Sequence, residues 1–181
     1  IIVLHLTRPP IEIPDREALG MDSHLAAAKG AYVIRPFDKK RPPEGTVIVR
    51  GTSTTASMMK ILPWLDDGGP NVKVVAAISH ALFRRQPEAW RDRVLPTHEW
   101  ADSMVVTNTA ARLMGNWIPH AVARDYVVSP DWDNRWRSGG SVDQITTEAH
   151  LDPASLQEGL ERFVADAEVR RQRMLVLLGG L

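Results

Sequence analysis

Short runs of β-branched and other apolar residues alternate with helix-forming segments along most of this chain, and this alternation restricts its fold more than any other feature. The runs 31–34, 46–50, 72–78, 103–107 and 126–128 have the length and composition of buried strands. Strands separated by helices are typical of an open, mostly parallel sheet covered on both faces. We therefore predict an α/β fold with three layers, α/β/α, around a mostly parallel five-stranded sheet.

Capping residues and helix breakers predict where the helices lie. Ser and Asp favour the N-cap, Pro favours the first turn, and Gly favours the residue after the last turn. The first predicted helix is His24–Lys29, ended by Gly30, and the second is Ala56–Leu65, whose last turn is ended or kinked by Pro63. The next two are Ala81–Arg85, capped by Ser79 and followed by Pro87, and Thr109–Trp117, closed by Pro119. A final helix has Asp152 at its N-cap and Pro153 at its first position, and its apolar stripe consists of Leu156, Leu160, Phe163, Val164 and Ala167.

Composition excludes several classes of protein. The 181 residues suit one main domain, and 22 Lys and Arg against 22 Asp and Glu leave a net charge of zero, which argues against a general nucleic-acid binder. The absence of Cys excludes disulfides, thiolate metal sites and a Cys nucleophile, and fits a cytoplasmic location. No run is apolar enough to predict a membrane span or a signal peptide. Because the sequence opens at Ile1 within an apolar run, we expect it to be a piece of a longer protein.

The spacing of acids and histidines does not predict a metal site. His98 and Glu99 begin like the H-E-x-x-H zinc motif, but Asp102 stands where the second His is required. The segment from Asp131 begins like a calcium loop and then lacks its Gly and its final Glu. Ser79 and His80 follow a strand, but no nucleophile motif surrounds them, and a capped helix start is the favoured interpretation.

Two places could bind an anion. Gly51, Thr52 and Ser53 follow a strand and open a helix, so free amides and hydroxyls could hold an anion there; the alternative is an ordinary Ser or Thr N-cap in a tight turn. The turn is neither a phosphate-binding P-loop nor a dinucleotide motif. Arg8 lies just past the predicted strand Ile1–Leu6, where ligands bind in α/β sheets, and its guanidinium could bind a phosphate or a carboxylate.

Two further segments carry apolar or aromatic side chains that need a partner. In Asp131–Arg137, Trp132 and Trp136 alternate with arginines, a pattern that could stack on nucleic-acid bases. Because the net charge is zero, the favoured interpretation is that the aromatic rings pack at a subunit interface and the arginines point outward. The tail Met174–Leu181 is too short to span a membrane and is expected to dock on its own domain or to cover a neighbour.

Taken together, these segments resemble the carboxyl-terminal part of transketolase. The resemblance covers nearly the whole chain and is most specific in its middle. Leu6-Thr7-Arg8 is similar to the family's L-[ST]-R-Q, Lys29–Ile34 to G-G-Y-V-L, and Val49–Ser53 to A-T-G-S. Val72–Ser79 is similar to V-x-V-V-S, and the following Phe83, Gln86, Trp90-Arg91 and Val94-Leu95-Pro96 are similar to F-x-x-Q-x-x-x-[YW]-[RK]-x-x-V-L-P. Gly139-Gly140-Ser141 and the final helix correspond to the loop and helix that end transketolases.

The resemblance implies an enzyme that moves a two-carbon ketol unit between sugar phosphates with thiamine diphosphate and a divalent metal, Mg or Ca. In this family the cofactor is held by the other two domains of a homodimer, so none is expected to be bound here and no catalytic residue is expected in this segment. Residues 1–8 would be the last strand of the pyrimidine-binding domain, 9–29 a linker, and 30–181 the third domain, with an antiparallel first strand. Arg8 falls on the arginine that holds the substrate phosphate.

The expected partners are therefore the remaining domains of the same enzyme and a second copy of it, and neither nucleic acid nor a membrane is expected. The resemblance also implies a cytoplasmic location and a role in the pentose phosphate pathway. The sequence departs from the family where Pro9 replaces the Gln after the arginine, and where the Trp-rich segment replaces the usual closing loop. Two alternatives remain: the homodimeric first component of pyruvate dehydrogenase, whose substrate has no phosphate for Arg8, and a free-standing regulatory module that binds anions at Gly51–Thr55.

Overall fold

Four strands form one mixed sheet in the computed structural model, which describes residues 12–137 and 139–179. The strands are β1 (Ala31–Arg35), β2 (Thr46–Arg50), β3 (Lys73–Ala77) and β4 (Ser103–Thr107). Strands β2 and β4 have the bounds expected from the sequence, whereas β1 is one residue longer and β3 is one residue shorter at each end. The spatial order is β1-β3-β2-β4, with β2 parallel to both of its neighbours and β1 antiparallel to β3.

Eight α-helices and two 3-10 segments connect and cover these strands in the described part of the chain. They are 3-10 His24–Lys29, α1 (Thr52–Asp66), α2 (His80–Arg84), α3 (Glu88–Val94), α4 (Thr97–Ala101), 3-10 Ala111–Met114, α5 (Ala121–Arg124), α6 (Val142–Glu148), α7 (Pro153–Ala165) and α8 (Ala167–Gly179). None of these helices is both long and apolar enough to cross a membrane.

The two faces of the sheet carry two separate apolar cores. On one face, α1 and α7 pack through Met58, Leu65 and Leu160 against strand residues that include Val47 and Val74. On the other face, residues of α2, α3 and the chain around Trp117 pack against the alternate strand residues. Because successive strand side chains point to opposite faces, each strand contributes to both cores. The predicted three-layer α/β/α class is therefore confirmed, as is the antiparallel first strand.

The predicted fifth strand is reduced to a single bridge among the described residues. Val128 pairs with Val106 in the parallel sense, accepts from the Thr107 amide and donates to the Val105 carbonyl. The pairing stops there because Pro130, two residues on, has no amide hydrogen to donate to a ladder. The sheet thus has four strands, one fewer than the sequence predicts.

Helix α1 begins four residues earlier than predicted and does not end at Pro63. Its N-cap is Gly51, whose φ of +106° lets the chain turn directly from β2 into the helix. Pro63 lies inside the last turn, but Leu62 and Leu65 on either side of it are buried in the core. Their packing holds the final turn to Asp66 despite the hydrogen bond that Pro63 cannot donate.

The helix predicted over Thr109–Trp117 is wrong, because only the 3-10 turn Ala111–Met114 forms there. The backbone hydrogen bonds show the difference. The Leu113 amide donates to the Ala110 carbonyl and the Trp117 amide donates to the Met114 carbonyl, three residues back and not the four of an α-helix. The Ala111 amide donates to the Asp131 carboxylate at 3.0 Å, which fixes the start of this turn to a neighbouring segment.

The remaining caps agree with the sequence. Gly30 ends the segment His24–Lys29 in the left-handed conformation, although that segment is a 3-10 helix. Ser79 caps α2, which starts and ends one residue earlier than predicted, and Pro87 begins the next helix as its N-cap. Asp152 caps α7 with Pro153 in its first turn, and Leu156, Leu160 and Phe163 form its buried stripe, with Val164 partly buried beside them. The predicted stripe extends too far, because α7 ends at Ala165 and Ala167 is the first residue of α8.

Helix α8 partly fulfils the expectation for the tail. Arg170 is 3% exposed and pairs with Asp102 at 2.9 Å, which anchors the helix to the body of the domain. Met174 packs against the core, whereas Leu175 and Val176 are exposed. The part of the tail that contacts its own domain is therefore short, and its last residues, 180 and 181, lie outside the described residues.

Candidate functional site

The carboxyl ends of the parallel strands lie beside a crevice of about 730 Å³, which we call the carboxyl-edge crevice. It is lined at one side by the turn that leads from β2 into α1 and at the other by the residues that follow β4. Ligands bind in α/β sheets at this edge, where neighbouring strands send their connections to opposite faces. Its lining includes Glu12, Arg16, Arg50, Gly51, Thr52, Thr55, Ile78, Asn108 and Thr109.

The strand connections create this crevice. After β2 the chain passes to the face covered by α1, whereas after β3 and β4 it passes to the opposite face, which is covered by α2 and by the turn around Met114. Strand β2 is thus flanked on both sides by strands whose connections diverge from its own. The gap opens beside Arg50, the last residue of β2.

The turn at Gly51 is shaped by a close approach. A Cβ on Gly51 would lie 2.0 Å from the Asn108 side-chain oxygen, and the φ of +106° is unfavourable for any other residue. Asn108 in turn donates to the Ser53 hydroxyl at 3.4 Å. Gly51 and Asn108 therefore bring the ends of β2 and β4 into contact.

No side chain of the described residues caps the first turn of α1. The Thr54 hydroxyl donates backward to the Arg50 carbonyl at 2.7 Å instead of accepting from an amide. The interpretation of this turn as an ordinary Ser or Thr cap is therefore wrong. The amides of the first turn and the positive end of a 15-residue helix face the crevice region without a side-chain partner.

Two arginines add positive charge to the crevice. Arg50 contacts the Met114 sulfur at 3.6 Å and forms no ion pair within residues 12–137 and 139–179. Arg16 donates to the Asp22 carbonyl and to the Tyr32 hydroxyl, so its guanidinium is fixed at the crevice wall. Glu12 is the one acidic residue in the described lining. The arrangement can bind an anion through backbone amides and a guanidinium.

The structure brings together part of the predicted site. Gly51 and Thr52 line the crevice, and Ser53 reaches it through Asn108. Arg8 lies outside the described residues. Arg50 and Asn108 are not among the site residues predicted from the sequence, although Arg50 ends one correctly predicted strand and Asn108 directly follows another. Ligands bind at the carboxyl ends of parallel strands, so this position could have identified both residues.

The Trp-rich segment differs from its expected arrangement. Trp132 stacks on His150 with ring centroids 4.4 Å apart, and Trp136 is 94% exposed. Arg137 does not point outward, because its side chain is 9% exposed and pairs with Asp133 at 3.1 Å. Ser79 acts as a helix cap, as expected. The described residues contain no group of three or more His, Asp or Glu side chains that could hold a metal ion.

Solved transketolases share this fold. A structure from Pichia stipitis in complex with sedoheptulose-7-phosphate matches 81% of this chain at 19% identity with a TM-score of 0.60. Structures from Leishmania mexicana and Campylobacter jejuni match 80% and 75% of it, at 17% and 15% identity and TM-scores of 0.56 and 0.55. The chain spans about a fifth of the length of each of these proteins (20%, 19% and 19%).

The predicted resemblance to transketolase is thus confirmed at the level of the fold. No protein-family model matches the sequence. A search of the curated proteins finds no match either.

The close approach at Gly51 makes a prediction about stability. Gly51→Ala is expected to lower the free energy of unfolding by roughly 2–4 kcal/mol, because it adds both backbone strain and a clash with Asn108. Gly68 also has positive φ but has open space around its Cβ position, so Gly68→Ala is expected to cost only roughly 1–2 kcal/mol. Urea denaturation of both variants measures the difference.

The double variant Gly51→Ala with Asn108→Ala separates the two causes. It removes the clash but keeps the backbone strain, so the cost of Gly51→Ala should be smaller in the Asn108→Ala background than in the wild-type background. Equal costs of Gly51→Ala in the two backgrounds would contradict the close approach.

Proposed function

We propose that this chain is the third, carboxyl-terminal domain of a transketolase-like enzyme, with the last strand of the preceding domain at its start. The observation that carries the proposal is the shared fold: 81% of the chain superposes on 20% of a transketolase. The motifs around Gly30, Val49–Ser53 and Val72–Pro96 point to the same family. In this proposal the end of the pyrimidine-binding domain is residues 1–8, the linker is residues 9–29, and the third domain is residues 30–181.

The complete enzyme would transfer a two-carbon ketol unit between sugar phosphates. Solved relatives from Pichia stipitis are complexes with sedoheptulose-7-phosphate and fructose-6-phosphate, which supports a phosphorylated ketose as the substrate class. Thiamine diphosphate and a divalent metal would supply the chemistry. The described residues contain no group of three or more His, Asp or Glu side chains, which supports our assignment of the metal ligands to the other domains.

In this account the domain has a structural role in a cytoplasmic homodimer of the complete enzyme. Its partners are the other domains and a second copy, and it contacts neither nucleic acid nor membrane. The exposed apolar side chains of α8, Leu175 and Val176, provide surface that a neighbouring domain can cover.

Arg8 is the residue of this chain that we propose to touch the substrate. A guanidinium binds a phosphate through two parallel, charge-assisted hydrogen bonds, and such a contact contributes equally before and during the reaction. In the enzyme that contains this domain, Arg8→Ala should therefore raise KM for a ketose phosphate by about 10–100-fold with little change in kcat. Steady-state kinetics of ketol transfer measures both constants.

An unphosphorylated ketose is the control substrate, since its KM should not change in Arg8→Ala. Equal KM values for the phosphorylated ketose in the two enzymes would exclude Arg8 as a phosphate ligand. If the wild-type enzyme used a 2-oxo acid and not a ketose phosphate as donor, the pyruvate dehydrogenase alternative would replace the transketolase one.

A second candidate function is anion binding at Gly51, Thr52 and Ser53, with regulation of the complete enzyme as its purpose. The specific observation in its favour is the first turn of α1, which no described side chain caps. It lies beside the guanidinium of Arg50, which contacts the Met114 sulfur and forms no ion pair with any described residue. Phosphate oxygens match both the free amides and the positive charge. A nucleotide or a sugar phosphate is the ligand class that fits a crevice of about 730 Å³.

Calorimetric titration of the 181-residue chain with a nucleotide, a sugar phosphate and inorganic phosphate tests this site. We expect saturable binding that Arg50→Gln and Ser53→Ala each weaken at least about tenfold. Thr147→Ala, an exposed threonine on α6, is the matched control and should not change the affinity. No heat with any of the three ligands, or equal affinity in Arg50→Gln, would exclude the site.

A further inference from the structure

Residues 12–29, which the sequence predicts to lie within a linker, are docked on the body of the domain, and we call this segment the strap. Met21, Ala26 and Ala27 of the strap pack against the core on the α1 face of the sheet. The strap also forms part of the wall of the carboxyl-edge crevice, through Glu12, Ile13, Pro14, Arg16 and Met21. It is therefore a structural part of the domain and of its crevice.

Asp22 of the strap covers the free edge of β1. Strand β1 lies at the end of the sheet and has β3 as its one strand neighbour among the described residues. The Asp22 amide donates to the Val33 carbonyl at 3.2 Å, and the Asp22 carboxylate accepts from the Val33 amide at 2.9 Å. The edge of a sheet exposes such backbone groups unless another segment covers them. Both backbone polar groups of Val33 are therefore satisfied by the strap.

A cluster of charges around Trp90 holds Asp22 in this position. Arg93 of α3 donates to both carboxylate oxygens of Asp22, at 3.1 and 2.9 Å. The Arg93 guanidinium lies 4.3 Å from the centroid of the Trp90 ring, and the Lys29 ammonium lies 3.7 Å from the same centroid. A bidentate ion pair and two cation–π contacts thus join the strap to α3. We call Asp22, Lys29, Trp90 and Arg93 the latch.

The latch is charged at neutral pH and is able to open. Burial raises the pKa of Asp22, but hydrogen bonds from Arg93 and from the Val33 amide, together with the charges of Arg93 and Lys29, hold it below its usual value. Because the Arg93 side chain is 46% exposed, water can hydrate the two charges when they separate. The contact therefore stabilises the docked strap without making it permanent.

The strap shields Tyr32 from the crevice that this residue lines. Tyr32 is 6% exposed although it belongs to the crevice wall. The Arg16 guanidinium donates to the Tyr32 hydroxyl at 3.3 Å and lies over the ring, 5.3 Å from its centroid. Arg16 also donates to the Asp22 carbonyl at 3.2 Å, so it is joined to the latch. Release of Asp22 would therefore take Arg16 away from Tyr32.

We propose that the strap is a movable wall of the carboxyl-edge crevice and that the latch keeps it in place. When Asp22 leaves Arg93, the free edge of β1 and the Tyr32 side of the crevice open together. The inference depends on contacts within residues 12–93 and does not rest on the transketolase-like function.

Arg93→Gln tests the latch without changing any residue of the strap. Asp22 can still accept from the Val33 amide if the strap stays docked, so faster exchange of that amide reports release of the strap. In the 181-residue chain we expect hydrogen exchange of the Asp22 and Val33 amides to become about 5–30-fold faster, because one ion pair and one cation–π contact are lost. The Thr46 amide, which donates to the Asp102 carbonyl, should keep its rate.

Tyrosine nitration, measured for each residue by mass spectrometry, reports the crevice side of the strap. The chain has two tyrosines, and each is 6% exposed. Tyr126 donates to Asp166, between α7 and α8, and is the internal control. Arg93→Gln should speed the nitration of Tyr32 by about the same factor as the amide exchange and should leave the nitration rate of Tyr126 unchanged.

Arg173→Gln is the matched control variant. Arg173 forms an ion pair with Asp125, and its side chain is 47% exposed, close to the value for Arg93. Because Arg173 lies on α8 and not on the strap or α3, its substitution should change neither the amide exchange nor the nitration of Tyr32.

If Arg93→Gln does not fold, as judged by circular dichroism, Asp22→Asn removes the charge, keeps an acceptor for the Val33 amide and should give the same two results. Unchanged exchange of the Val33 amide in the variant that folds would overturn the proposal. Unchanged nitration of Tyr32, or equal acceleration at Tyr32 and Tyr126, would overturn it as well.

Discussion

The in-register parallel pairing of β2 with both of its neighbours is the constraint on which the rest of the structure depends. Thr46 to Arg50 pair one to one with Ser103 to Thr107, and Thr46 to Val49 pair with Lys73 to Ala76. Their carboxyl ends therefore fall at one edge. Because the connection after β2 leaves by one face and the other two leave by the opposite face, that edge must open into a crevice.

The strands of the sheet are held to the surrounding helices by buried charged groups as well as by apolar packing. Arg35 donates to Asp66 and to the Val72 carbonyl, which ties β1 to the end of α1 and to the start of β3. Lys73 pairs with Glu99 at 2.7 Å and ties β3 to α4. Each of these cations finds an acidic partner within the domain, whereas Arg50, which lines the carboxyl-edge crevice, forms no ion pair within residues 12–137 and 139–179 and contacts only the Met114 sulfur. Its positive charge is therefore available to an anion in that crevice.

Local sequence rules predicted the strands well because a β-branched run bounded by turn residues has few alternatives. They predicted helix limits less well, since tertiary contacts decide them. Buried Leu62 and Leu65 hold α1 together past Pro63. In the predicted helix over Thr109–Trp117, backbone hydrogen bonds run to the third residue back and form only a 3-10 turn. Gly51 and Thr52 could be found from strand-turn-helix spacing alone. Asn108 could not be placed beside them before the order and register of β2 and β4 were known.

A domain of transketolase fold that spans a fifth of the length of its solved relatives explains the arrangement of these residues without assigning a reaction step to them. The central claim is that this chain contributes architecture and a substrate contact while the cofactor is bound elsewhere. The most direct measurement is calorimetric titration of the 181-residue chain with thiamine diphosphate and Mg²⁺, followed by a ketol-transfer assay on the same sample. The account predicts neither saturable binding of the cofactor nor transfer, and either one would contradict it.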